Sequence, residues 1–204
     1  MYIPDIYKNE NKAEITDFIN KNGFAILVNQ INGKLWGTQI PLILEKNDSG
    51  KEVVVGHISK ENPQSESFEN TNEVLVIFSG AHSYISSSWY DHENVPTWNY
   101  LAVHVYGKIK ILNYEKSIEH LKKLVDKYES NSSNPVRIED LSKRTMLQAK
   151  GIVAFEIEIN EIQAVKKMSQ NRDDKNYKNI ISELEKTGNS QEIEVSKVMG
   201  KCTR

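Results

Sequence analysis

Apolar residues along this chain change their spacing several times, and each change predicts an element. Ile15, Phe18 and Ile19 share one face at helical spacing between Asn11 and Asn22, and Asn22-Gly23 supplies a stop. Phe24-Ala25-Ile26-Leu27-Val28 is a continuous apolar run of strand length. It is followed by Asn32-Gly33, a pair that accepts positive φ and predicts a hairpin into Leu35 to Leu44. Pro41 predicts a bulge or a sheet edge there. Beyond a polar loop from Glu45 to Glu52 come strands over Val53 to Ile58, Glu73 to Phe78, around Tyr84-Ile85-Ser86, and over Trp98 to Leu112. A loop from Ser59 to Gln64 and a short amphipathic piece around Phe68 interrupt them.

These strands succeed one another without crossover helices, which predicts antiparallel pairing closed into a barrel rather than a parallel doubly wound sheet. Helical spacing returns in Ile118, Leu121, Leu124, Val125 and Tyr128, and a second helix is expected from about Ile138 to Lys150. Val153, Phe155, Ile157 and Ile159 alternate with polar or small residues, giving a late strand with one buried face. After the polar cluster Lys166 to Arg172, Tyr177, Ile180, Ile181 and Leu184 predict a helix ended by Gly188. Ile193, Val198 and Met199 predict a short last helix. The expected class is α+β, mainly β, as one domain over residues 1–204 with a C-terminal helical extension.

Composition narrows the function. With 204 residues, 38% of them hydrophobic, the chain can build one full core. A net charge of -2 gives no global attraction to nucleic acid or to an anionic membrane, so any DNA contact would be local. Cys202 is the single cysteine and has no partner for an internal disulfide. Met1 to Asn11 is polar and carries Pro4, unlike a secretory signal, and no apolar run reaches membrane-spanning length. A cytoplasmic location is expected.

The chemistry concentrates in Ser79 to Gly107, which holds two of the three tryptophans, three histidines and many hydroxyls. No Gly-rich phosphate loop, zinc spacing or Gly-x-Ser-x-Gly elbow accompanies them. No catalytic residue and no metal site is assigned. What remains is aromatics, hydroxyls, amides and a little positive charge, the set needed by an aromatic cofactor with a phosphate tail.

Four ordered motifs then carry a resemblance. They are Gly56-His57-x-x-x-x-Asn62-Pro63, Tyr84-Ile85-Ser86-x-Ser88-Trp89-Tyr90, Val95-Pro96-Thr97-Trp98-Asn99-Tyr100 and Lys167-x-Ser169-Gln170-Asn171-Arg172. Together with Met1-Tyr2-Ile3-Pro4, they resemble the PaiB-like family, FMN-binding negative transcriptional regulators. The resemblance spans nearly the whole chain. It implies a homodimer of six-stranded split barrels related to the pyridoxamine phosphate oxidase fold, with FMN between the subunits. The residues it marks for the cofactor are His57, Asn62, Pro63, Ser86, Ser88, Trp89, Thr97, Trp98, Asn99, Lys167, Ser169, Gln170 and Asn171. This chain departs from the family's usual pattern in having Ser87 where a proline is common, and Ala164-Val165-Lys166 where a tryptophan is often seen.

Each marked residue also has a purely structural reading. Trp89 and Trp98 would serve as core or interface aromatics, His57 as a barrel histidine bonded to backbone, Asn62-Pro63 as a helix cap, and Lys166 to Arg172 as a solvated loop. Two functions follow from the resemblance and the donor set. One is a flavin-binding regulator of transcription acting through DNA or a protein partner. The other is a small FMN-dependent oxidoreductase, a reductase or an oxidase. For direct DNA contact the local candidate is Lys116, Lys122, Lys123 and Lys127, whose plainer role is a solvated helix face.

Overall fold

A computed structural model describes residues 1–69 and 73–202. Six strands, β1 (Phe24–Ile31), β2 (Lys34–Lys46), β3 (Glu52–Ser59), β4 (Val74–Ile85), β5 (Thr97–Ile111) and β6 (Ile152–Lys167), hydrogen-bond in the closed order β1-β2-β3-β6-β5-β4. The expected antiparallel barrel is present. Five α-helices, α1 (Lys12–Lys21), α2 (Tyr114–Glu129), α3 (Lys143–Met146), α4 (Asp174–Lys186) and α5 (Ser190–Gly200), complete the fold with short 3-10 turns.

The chain divides into two compact units: Met1–Phe18 with Ser79–His104 and Gln163–Arg204, and Ile19–Phe78 with Val105–Ile162. In the second, Asn32 (φ 49) and Gly33 (φ 80) make the hairpin turn that sets Ile31 opposite Lys34 and Phe24 opposite Pro41. Pro41 stands at the last β1 pair, and from Leu42 onward β2 pairs with β3 instead. The proline therefore sits where the strand changes partner. Leu27, Leu42, Val54, Phe78, Phe155 and Ile157 are fully buried in this unit, and Phe68 meets Phe155 edge to face at 5.1 Å. In the first unit, Ile85 and Tyr90 pack with Met168 and with Tyr177, Ile180, Leu184, Val195 and Met199 of α4 and α5. The apolar stripe seen at 3.6-residue spacing in the tail thus covers its own core.

Three boundaries differ from expectation. The segments expected over Glu73 to Phe78 and around Tyr84 are one strand, β4. Gly80 does not interrupt it, because a Cβ there would collide with the Phe18 ring, and the missing side chain is what lets that ring approach. The helix expected from Ile138 to Lys150 is three short pieces. Leu141 and Ser142 are extended, and the Ser142 side chain accepts from the Thr145 N–H, starting α3 afresh. Finally, β6 continues past Ile159 to Lys167, taking in the start of the polar cluster. Lys8 bridges Val165, and the Asn9 N–H donates to the Ala164 carbonyl at 3.0 Å, so the N-terminal segment lines this extension.

Candidate functional site

Strand alternation separates the residues of the Thr97-Trp98-Asn99 motif. Successive side chains of β5 point to opposite faces, so Thr97 and Asn99 lie on one and Trp98 on the other. On the first face, the Lys167 ammonium donates to Thr97 Oγ1 at 2.6 Å, and the Ser169 hydroxyl donates to Asn99 Oδ1 at 3.0 Å. The Lys167 Nζ also lies 5.9 Å from the centre of the Tyr7 ring. Burial and, next, the charge of Arg172 push the Lys167 amine below its ordinary basicity. Asn99 itself is fully buried, with its amide directed at Met199 Sδ.

The Lys167 to Arg172 segment is a tight turn. Ser169 has φ 57, a left-handed conformation that a side chain adopts only when its surroundings hold it. The holding bonds are visible. Gln170 Oε1 accepts from the Met168 N–H at 2.7 Å, its amide nitrogen donates to the Lys166 carbonyl, and the Arg172 N–H donates to the Ser169 carbonyl at 3.0 Å. Gln170 and Ser169 therefore build the turn from which Lys167 projects, while Asn171 is exposed.

On the other face of β5, Trp98 is 52% exposed and meets Tyr84 of β4 edge to face at 6.0 Å, with His82 at 6.1 Å. Trp89 behaves differently. It packs against the core of α4 and α5, and its carbonyl accepts from Asn179 at 2.7 Å. Ser86 caps the 3-10 turn Ser87–Trp89 by accepting from the Ser88 N–H at 3.2 Å, and its hydroxyl pairs with that of Ser88 at 2.8 Å.

His57, Asn62 and Pro63 lie in the second unit. Asn62 caps the 3-10 turn Pro63–Ser67, its Oδ1 accepting from the Gln64 N–H at 3.0 Å, while the Ser65 N–H donates to the Asn62 carbonyl at 3.0 Å. The Gln64 and Ser65 N–H groups are thus engaged within the turn. Sequence reasoning passed over the adjacent Gln64, which is fully buried. Its Nε2 donates to Leu27 O at 3.1 Å and Asn29 Oδ1 at 2.9 Å, and its Oε1 accepts from Thr38 at 2.6 Å. A glutamine directly after an Asn-Pro cap carries no periodic signal that would reveal such a network.

His57 meets another residue that the sequence did not single out. Its Nδ1 is 3.3 Å from Nε2 of His120, which is 2% exposed on α2. Burial lowers the pKa of His57. Burial, His57 and then Lys123 lower that of His120 to about 4, so both rings are neutral near pH 7.

The candidate basic patch on α2 is largely neutralised. Lys116 bonds Asp48 at 3.0 Å and Glu119 at 3.1 Å, Lys123 bonds Glu45 at 2.6 Å, and Lys122 pairs with Glu139. Lys127 lies 5.6 Å from the Tyr128 ring centre, and burial lowers its pKa. Among the described residues no helix is long and apolar enough to cross a membrane.

Comparison with known proteins agrees with this architecture. A flavocytochrome from Azotobacter vinelandii superposes with a TM-score of 0.64 at 14% identity, covering 87% of this chain and 78% of that one. An FAD- and haem-binding protein from Mycobacterium smegmatis gives 0.61 at 13% identity, covering 79% and 73%. At such identities these likenesses establish the fold, the antiparallel split barrel. In sequence, the family described as "Putative FMN-binding domain" matches residues 1–161. The chain is also 42% identical over 200 residues to the protein of Bacillus subtilis named "Protease synthase and sporulation protein PAI 2", covering 98% of this chain and 96% of that one. Given the four motifs in order on a split barrel, this match and this relative, the chain belongs to the PaiB-like family of FMN-binding-domain proteins.

Proposed function

We propose that the protein binds FMN at the interface of a homodimer and acts as a negative regulator of transcription. The observation that carries the cofactor site is Lys167. Among the described residues its partly buried ammonium has a hydroxyl and an aromatic ring for partners, and the Arg172 charge nearby disfavours the protonated amine further. A phosphate monoester compensates the Lys167 charge and accepts from the Thr97 hydroxyl, so the donor set fits the tail of FMN. Ser169, Gln170 and Asn99 act as positioning residues that hold this turn. FMN would supply hydride or electron chemistry when bound. The exposed Trp98 and Tyr84 rings, on the opposite strand face, suit contact with a second copy.

The regulatory part draws on the Bacillus relative, which is named for protease synthesis and sporulation. Because Lys116, Lys122 and Lys123 are already in ion pairs, regulation through a protein partner is favoured over direct reading of DNA by α2. The test is an FMN titration followed by flavin fluorescence, in which Lys167→Met should weaken binding by about tenfold or more while leaving thermal unfolding unchanged. Equal affinity in the variant overturns the site. Rapid bleaching of the bound flavin by NADH or NADPH without oxygen would replace the regulator by an oxidoreductase.

A further inference from the structure

A cleft of about 290 Å³ lies between the end of β5, the start of β6, the first turn of α2 and the residue after β3, wholly within the second unit. Backbone bonds fix its frame. The Leu112 N–H donates to the Ala154 carbonyl at 2.9 Å. The Lys60 N–H donates to the Gly151 carbonyl at 2.9 Å, one step beyond the register pair of Ser59 and Ile152. Lys60 and Lys150 therefore leave the backbone close together at the rim of the cleft, from segments distant in sequence.

Two kinds of surface meet here, and neither is completed by the fold. One is apolar: Ile111 is 39% exposed, and Leu112, Ile152 and Val153 are only half-buried. The other is cationic. Lys60 and Lys150 are the charged residues that line the cleft, neither has an ion pair among the described residues, and no carboxylate lines it with them. Glu61 and Glu115, next in the chain to Lys60 and Tyr114, are exposed and lie outside the lining. The buried hydroxyl of Ser117 is already satisfied, donating to the Asn113 carbonyl at 2.7 Å, so it makes no demand on a ligand. What the cleft lacks is negative charge beside a hydrocarbon body.

We propose that this cleft binds an aliphatic monocarboxylate, its two oxygens shared between the ammonium groups of Lys60 and Lys150 and its chain laid on Ile111, Leu112, Ile152 and Val153. The carboxylate supplies the missing countercharge, and the chain removes apolar wall from water. An inorganic anion answers the first demand and leaves the wall wet. The site shares no residue with the Lys167 turn and does not rest on the FMN reading.

The experiment is titration of the full chain with sodium hexanoate, followed through the backbone amide resonances of Lys60, Gly151 and Ile152 by NMR. Sodium acetate keeps the charge without the chain, 1-hexanol keeps the chain without the charge, and sodium phosphate presents an inorganic anion. A saturable shift is expected with hexanoate, and binding about tenfold or more weaker with each of the three others. Lys60 and Lys150 are exposed, so their replacement leaves the core intact. Lys60→Gln and Lys150→Gln should each weaken hexanoate by about threefold and the double variant by about tenfold, with the response to 1-hexanol unchanged. An unsaturable response, acetate or phosphate binding as tightly as hexanoate, or unchanged hexanoate affinity in the double variant overturns the proposal.

Discussion

Replacing His120 by leucine removes a buried proton acceptor of similar volume, and its effect depends on pH in a calculable way. The unfolded chain binds a proton on this ring below its ordinary value of 6.5, whereas the folded chain refuses it until about pH 4. Above pH 6.5 the ring is neutral in both states and contributes nothing to pH dependence. As pH falls through this window, stability is lost at about 1.4 kcal/mol per pH unit, reaching roughly 3 kcal/mol near the folded pKa and levelling off below it. At 2% exposure the ring has little solvent to screen this penalty. For a chain of this length the loss corresponds to a fall in Tm of roughly 6–12 °C. Carboxylates also begin to titrate toward the acid end, so the informative quantity is the difference between wild type and His120→Leu. Urea unfolding followed by circular dichroism at about pH 7.5, 6.5, 5.5 and 4.5 should show the two stability curves converging or crossing by about 2–3 kcal/mol. Parallel curves within about 0.5 kcal/mol would refute the placement of a neutral, buried His120 against His57.

Three further outcomes are expected. Gln64→Leu strands the Leu27 carbonyl and Asn29 Oδ1 in a dry interior and should destabilise the chain by about 2–4 kcal/mol in urea unfolding. Pairing it with Thr38→Val should cost less than the sum of the two single changes, because both touch one bond. Gly107→Ala forces a Cβ onto the Glu158 carbonyl and to 2.7 Å from Ile157 Cγ2, so its soluble yield and Tm should fall far more than those of Gly151→Ala, whose added atom meets nothing within 4 Å. Asn62→Ala removes a cap and should cost about 1 kcal/mol, while FMN affinity measured by fluorescence stays unchanged.

Much of the fold was legible because barrel strands announce themselves locally. The Asn32-Gly33 turn and the alternation through Phe155 and Ile157 fix a hairpin and a buried face within a few residues. Boundaries were less legible where a tertiary contact overrides a local breaker. The strand through Gly80 reads locally as two segments, and the Phe18 ring that packs where its side chain would be is distant in sequence. Within the candidate site, the motifs marked both Lys167 and Thr97, a cation and a hydroxyl legible by residue type, and the fold sets them 2.6 Å apart. What motifs do not convey is direction. Trp98 and Asn99 are adjacent in sequence yet on opposite strand faces, Gln170 directs its side chain into its own turn, and Asn62 divides its side chain between its turn and the Thr38 hydroxyl, to which its amide donates at 3.0 Å. His120 was invisible for another reason: on a helix with an ordinary apolar stripe, a histidine facing inward differs from one facing outward only by its partner on β3.

The closed strand order has a bearing on assembly. Every strand of the ring has two hydrogen-bonding neighbours, so no strand is terminal in the sheet. β2 takes its two neighbours in succession, β1 over Lys34 to Pro41 and β3 over Leu42 to Lys46, so each half of it is laddered along one edge. A chain that lengthened this sheet would start on one of those half-strand edges, and Pro41, which has no N–H to give, marks the limit between them.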